Sequence, residues 1–217
     1  MEKKEKISLA ELEIAFRDSN FLKANEILKV LCKNFPNNYN YTMNLGLSFR
    51  KLGQPNKAFK AYKDAKKLNN KDYLLFYNLG NLLKDDLGKK DQAIKYYLDS
   101  LKLNSENIDC WKNLALTYTE IQKFDLVIKV CERILSLDPN HFDGNYLMGF
   151  SFLSLMSPKK AKVFVEKAIE IEYNIGALRT LSAINHMLGN KNEAVRYAAK
   201  SEGAFIFYSD ERPYSTI

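Results

Sequence analysis

The side chains best placed to do chemistry in this sequence are three asparagines. Asn44, Asn78 and Asn113 each precede a leucine and a small residue, in Asn44-Leu45-Gly46, Asn78-Leu79-Gly80 and Asn113-Leu114-Ala115. The leucine and the small residue have the character of packing positions, whereas an amide held in step with them does not. An asparagine amide offers donors and an acceptor together, so it can pair with a peptide group whatever side chain that peptide bears. The chemistry open to such a row is recognition of a polypeptide backbone, at about 1 kcal/mol net per hydrogen bond.

Covalent and metal chemistry have less to stand on. Cys32, Cys110 and Cys131 are too few and too scattered for a zinc site or a disulfide framework. They read as small buried hydrophobes in a reducing compartment. His141 and His186 stand at ligand spacing from no other histidine or cysteine. No P-loop, GxGxxG or GxSxG occurs, and no nucleophile, base and orienter can be named. The expectation is a chain that is not an enzyme and uses neither metal nor cofactor.

The 217 residues, 46% hydrophobic and 27% charged, have the composition of an ordinary globular protein. No apolar run follows MEKKEKISLAELE as in a signal peptide, and none approaches the roughly 20 residues that span a bilayer. A soluble, cytoplasmic protein is expected. The net charge of +7 is uneven: residues 1–108 hold 20 Lys and Arg against 13 Asp and Glu, and the remainder balances. That excess reads either as a site for acidic partners or nucleic acid, or as a lysine-rich solvated helix surface.

The elements that position the asparagines follow from a period. Gly46 to Gly80 is 34 residues, Gly80 to Ala115 is 35, and Ala115 to Gly149 is 34. A second series, Ala24, Ala58, Ala93, Ala161 and Ala194, runs parallel, with Val127 at the skipped step. Each unit splits into two helix-length segments with apolar residues three and four apart, separated by short polar breaks such as LGQPN, LGKKD and MSPKK. A small residue on each helix lets its partner approach closely.

On these residues the sequence resembles the tetratricopeptide repeat (TPR) family, whose pattern places an aromatic, a leucine, a small residue and a tyrosine on the first helix. Residues 108–141 supply Trp111, Leu114, Ala115, Tyr118, Phe124 and Pro139. The unit before supplies Phe76, Leu79, Gly80, Ala93 and Tyr97, with one extra residue that we assign to the turn DDLGKK. The first and sixth units are more degenerate, as terminal repeats with a single neighbour should be. The resemblance implies an all-α fold, a right-handed α-solenoid of about six helix-turn-helix repeats near 8–38, 39–72, 73–107, 108–141, 142–174 and 175–204. Residues 1–7 form a charged leader and 8–204 a single solenoid in this reading.

In that architecture the first helices line a concave groove. At about 100 degrees per residue, positions three or four apart share a helix face. Asn44, Leu47 and Arg50 then line the groove in the second unit, Tyr77, Asn78, Asn81 and Lys84 in the third, and Lys112, Asn113 and Leu116 in the fourth. An asparagine repeated in this position is similar to the TPR superhelix of O-linked N-acetylglucosamine transferases, which implies a grip on bound polypeptide; their catalytic domain has no counterpart here. The ladder stops at Leu147 and Thr180, where Tyr146, Phe150, Arg179 and His186 imply a more apolar end.

After Gly203 the period fails. The aromatic tail 205–217 either folds back through Phe205, Ile206 and Phe207 to cap the last repeat, or docks into a groove of its own or a neighbouring molecule. The functional expectation is a noncatalytic adaptor binding an extended peptide or a partner helix. The alternatives are a nucleic-acid-associated factor using the basic half, and a noncatalytic subunit of an enzyme complex.

Overall fold

A computed structural model describes the backbone of residues 2–203, 205–209 and 212–216 and the side chains of residues 8–203. Contacts group the chain into two compact units, Met1–Ser105 and Glu106–Ile217. The first holds α1 (Glu2–Arg17), α2 (Phe21–Asn34), α3 (Tyr39–Lys51), α4 (Pro55–Leu68), α5 (Tyr73–Asn81), a π-turn at Leu82–Asp86, and α6 (Lys90–Leu103). The second holds α7 (Ile108–Glu120), α8 (Phe124–Leu137), α9 (Phe142–Ser154), α10 (Pro158–Ile171), α11 (Ile175–Met187) and α12 (Lys191–Ser201). Antiparallel strands β1 (Phe205–Ser209) and β2 (Arg212–Thr216) follow, with Phe205 opposite Thr216 and Ser209 opposite Arg212. The described helices fall into six pairs, as an all-α solenoid of about six helix-turn-helix repeats requires, and α1 starts at Glu2. The hairpin is an addition that the helical period does not announce. Whether Phe205, Ile206 and Phe207 cap the last repeat concerns side chains outside the described residues.

The helices start where side chains can satisfy free backbone N–H groups. Asn20, Asn38, Asp72, Asn107, His141 and Asn174 cap α2, α3, α5, α7, α9 and α11. Among the second helices, α4 and α10 open on Pro55 and Pro158, whose missing N–H falls where no intrahelical partner exists. Part of the chain's asparagine content is therefore capping, worth about 1 kcal/mol per site.

The small residues do what the period implies. A Cβ added at Gly46 would lie 2.5 Å from Tyr62 Cδ1, and one at Gly80 would lie 2.5 Å from Tyr97 Cε1. At Gly149 the obstruction is Val165 Cγ2, also at 2.5 Å. Packing is local: Leu12, Ala15, Ala24, Leu28, Leu31 and Tyr41 form one cluster across α1, α2 and α3. Ala58, Tyr62, Ala65, Leu75, Leu79 and Leu82 help form another across α4, α5 and the π-turn. In the second unit Ala161, Val165, Ala177, Leu181 and Ile184 join α10 to α11.

The extra residue of the third repeat is not in the loop. The π-turn absorbs it, with the Leu87 N–H donating to the Leu82 carbonyl at 3.1 Å, five residues back. The turns within repeats each need a residue in the left-handed region. Gly53, Gly88 and Gly189 fill it at φ of 65, 65 and 79 degrees, but Ser19, Gln122 and Met156 do so at 54, 58 and 56 degrees with a Cβ.

Two outcomes follow in denaturant unfolding. Gly46→Ala should destabilise by about 1–3 kcal/mol through overpacking against Tyr62, with part of the loss recovered in Gly46→Ala/Tyr62→Leu. Gln122→Gly and Met156→Gly should each stabilise by about 0.5–1 kcal/mol, because glycine relieves the strained φ.

Candidate peptide-binding surface

In the first unit the expected groove residues separate into three behaviours. Asn44 on α3 and Asn78 on α5 are half-buried, and among the described residues neither side-chain amide has a hydrogen-bond partner. Asn44 opens into a cleft of about 620 Å³ between α1 and α3, beside Leu9, Leu12, Phe16 and Tyr41, with Glu13 at its edge. Leu47 is half-buried next to it along α3, and Tyr77 sets its ring 6.3 Å from that of Tyr97.

Asn81 behaves differently, and its assignment to the groove is corrected. It is 9% exposed and accepts a hydrogen bond from the Tyr97 hydroxyl at 2.8 Å. The tyrosine that packs on Gly80 reaches past the glycine and turns Asn81 inward. One repeat earlier, Leu47 stands where Asn81 does, and the matching Tyr62 hydroxyl is buried with no hydrogen-bond partner among the described residues. Burial pushes the Tyr62 pKa up, against the opposing charge of Arg50 and with a smaller upward push from Asp86.

Arg50 and Lys84 are engaged in ion pairs. Arg50 Nε lies 2.6 Å from Asp86 and its Nη2 lies 3.0 Å from Asp85, tying the end of α3 to the π-turn. Burial alone would lower the Arg50 pKa, but the hydrogen bond and charge of Asp86, with the charge of Asp85, carry it upward. Lys84 Nζ sits 3.5 Å from Asp85. These contacts make Arg50 a strut between two first helices whose remaining faces stay open.

In the second unit Lys112 reaches both Asp109 at 3.9 Å and Asp143 at 3.6 Å, so it links α7 to α9. Asn113 and Leu116 are half-buried on α7. On α9 the rings of Phe142 and Tyr146 stack with centroids 5.8 Å apart, and Tyr146 and Phe150 follow at 6.4 Å. Phe124 of α8 meets Phe150 edge-on at 6.2 Å. The Tyr146 hydroxyl lies 3.4 Å from Thr180 Oγ1. Leu147 is buried, so the ladder position becomes core there. Arg179 is exposed and with His186, Met187 and Val195 borders a cavity of about 500 Å³ between α11 and α12.

Sequence reasoning missed Phe142 and Phe124 in the aromatic run, although 142, 146 and 150 already stood at four-residue spacing. It also missed Asp85 and Asp86, whose placement depends on the π-turn. Among the described residues no cluster of His, Cys, Asp and Glu could hold a metal ion. The Cys131 thiol is pushed up to about 12, by burial first and then by Asp143 and Glu132, so it stays protonated near neutral pH.

Helix pairs in close contact through small residues, repeated about every 34 residues, define an α-solenoid. The family model described as tetratricopeptide repeat matches residues 40–72, 74–107 and 108–141, and the chain belongs to the tetratricopeptide repeat family. Solved structures share the fold at low identity. A crystal structure of MamA is 23% identical over 79% of this chain and 93% of its own, with a TM-score of 0.72. PilF of Pseudomonas aeruginosa is 15% identical over 93% of both chains, with a TM-score of 0.74. YrrB, a TPR protein with an unusual peptide-binding site, is 15% identical over 83% of this chain and 93% of its own, with a TM-score of 0.72. No curated protein sequence matches the chain. Among the described residues no helix is long and apolar enough to cross a membrane.

The contrast between the two tyrosines gives a test. Tyr62→Phe should leave stability unchanged or raise it, because it removes a buried hydroxyl with no partner. Tyr97→Phe takes a donor from buried Asn81 and should cost roughly 1–3 kcal/mol in urea unfolding.

Proposed function

We propose that the chain is a noncatalytic scaffold that holds an extended polypeptide against its first helices, with Asn44 and Asn78 of the first unit as backbone grips. The observation that carries this reading is the pair of amides themselves. They occupy the same position in consecutive repeats, are partly open to solvent, and among the described residues make no side-chain hydrogen bond. The amide nitrogens of buried Asn25, Asn145 and Asn185 by contrast donate within the chain, to Ser48, to the Pro139 and His141 carbonyls, and to the Leu181 carbonyl.

The cleft beside Asn44 gives a bound side chain an apolar wall in Leu9, Leu12 and Phe16. The aromatic run on α9 is a comparable apolar strip in the second unit, with Lys112 tied to the same helix through Asp143; Asn113, Leu116 and Arg179 belong to this surface in the same reading. A peptide-binding site on YrrB supports this use of the fold. A cytoplasmic location belongs to the same reading and is supported by three free cysteines.

A peptide library displayed on phage and selected on the protein supplies ligands for measurement by fluorescence polarisation. Asn44→Ala/Asn78→Ala should weaken selected peptides about thirty-fold, two hydrogen bonds at about 1 kcal/mol each, with an unchanged helical circular dichroism spectrum. Selected peptides that bind the double variant as tightly as the wild type would remove the asparagine grip.

A further inference from the structure

The second helices of the first unit bear a charge that its first helices do not. On α4 the buried stripe is Ala58, Ala61, Tyr62 and Ala65, and the opposite side exposes Lys57, Lys60, Lys63 and Lys67. Asp64 is the single carboxylate of that helix, and it pairs with Lys67 at 2.6 Å. The outward side of α2 carries Lys23, Lys29 and Lys33 with Glu26 alone against them. The two helices bring their cations together: Lys29 Nζ and Lys57 Nζ stand 5.6 and 5.8 Å from the centroid of the same Phe49 ring. Among the described residues Lys29, Lys57, Lys60 and Lys63 have no carboxylate partner. Like charges gathered without counter-charge repel, and an anionic surface laid against them reverses that energy.

Two features select the kind of anion. Neither α2 nor α4 has an arginine, so this face lacks the planar fork that grips phosphate or guanine in two places. Its lysines are point charges on flexible stems, suited to a diffuse negative plane. Leu22 and Val30 also project from the same side of α2, 61% and 56% exposed. Against a nucleic-acid backbone these aliphatic side chains gain nothing, whereas at a membrane they can enter the boundary between headgroups and acyl chains. We infer that the outward face of α2 and α4 seats the protein peripherally on an anionic phospholipid surface. This face lies on different helices from Asn44 and Asn78 and does not depend on the peptide grip.

Co-sedimentation of the full chain with vesicles of phosphatidylcholine alone, or mixed with phosphatidylglycerol, tests the inference. Binding should require the anionic lipid and fall as salt rises. Lys60→Gln/Lys63→Gln should weaken it about thirty-fold, the loss of two lysines near the surface. Leu22→Ser/Val30→Ser should weaken it several-fold at unchanged charge, while Asn44→Ala/Asn78→Ala should bind as the wild type does. Circular dichroism of each variant should match the wild type, since all of these substitutions fall on exposed or half-exposed positions. No binding to the mixed vesicles, or equal binding to both kinds, would overturn the inference. So would tighter binding to duplex DNA that ignores Leu22→Ser/Val30→Ser, which would reassign the face to nucleic acid.

Discussion

Everything in this chain depends on how near two helix backbones can come. At Gly46, Gly80 and Gly149 the second helix of the pair lays a ring or a branched side chain against bare backbone, where even a methyl group would collide. The size of the facing residue is matched to the gap. Where the small residue is Ala115 and not glycine, the second-helix position that holds Tyr62 and Tyr97 elsewhere holds Cys131. Because each contact is complete within its pair, apolar clusters form between neighbouring helices and stability is a sum of local interfaces. The sides of the helices not spent on these interfaces are then free to carry other chemistry.

That freedom is used unequally. First helices expose amides and rings and are braced by ion pairs such as Arg50 with Asp85 and Asp86. Second helices of the first unit expose lysines, several drawn over aromatic rings at 4.9 to 5.8 Å. One fold thus shows two chemically distinct faces to its surroundings.

Much of the fold was legible because a period of about 34 residues is a property of the letters alone. The helix-turn-helix units, the small-residue contacts and the degenerate ends all follow from it. The site was less legible, for a physical reason that Asn81 illustrates. Helical spacing puts it near Asn78, but its orientation was decided by the reach of Tyr97 from another helix, which no spacing on α5 contains. Arg50 is a second case, since its partners come into range only after the backbone widens at Leu82–Asp86. The hairpin at the C-terminal end has no helical period to reveal it. The asparagines Asn20, Asn38, Asn107 and Asn174 show the opposite problem, a residue type whose abundance has a capping cause and carries no message about ligands.

The widened turn at Leu82–Asp86 has a meaning beyond its hydrogen bonds. A repeated sequence keeps time like a clock, and one surplus residue in a helix would advance every later side chain by about 100 degrees around its axis. By swelling one turn, the backbone takes up the surplus locally and hands the following helix back in phase, so that Ala93 and Tyr97 still meet their targets. The chain thereby tolerates a miscount in its own repeat without passing the error on.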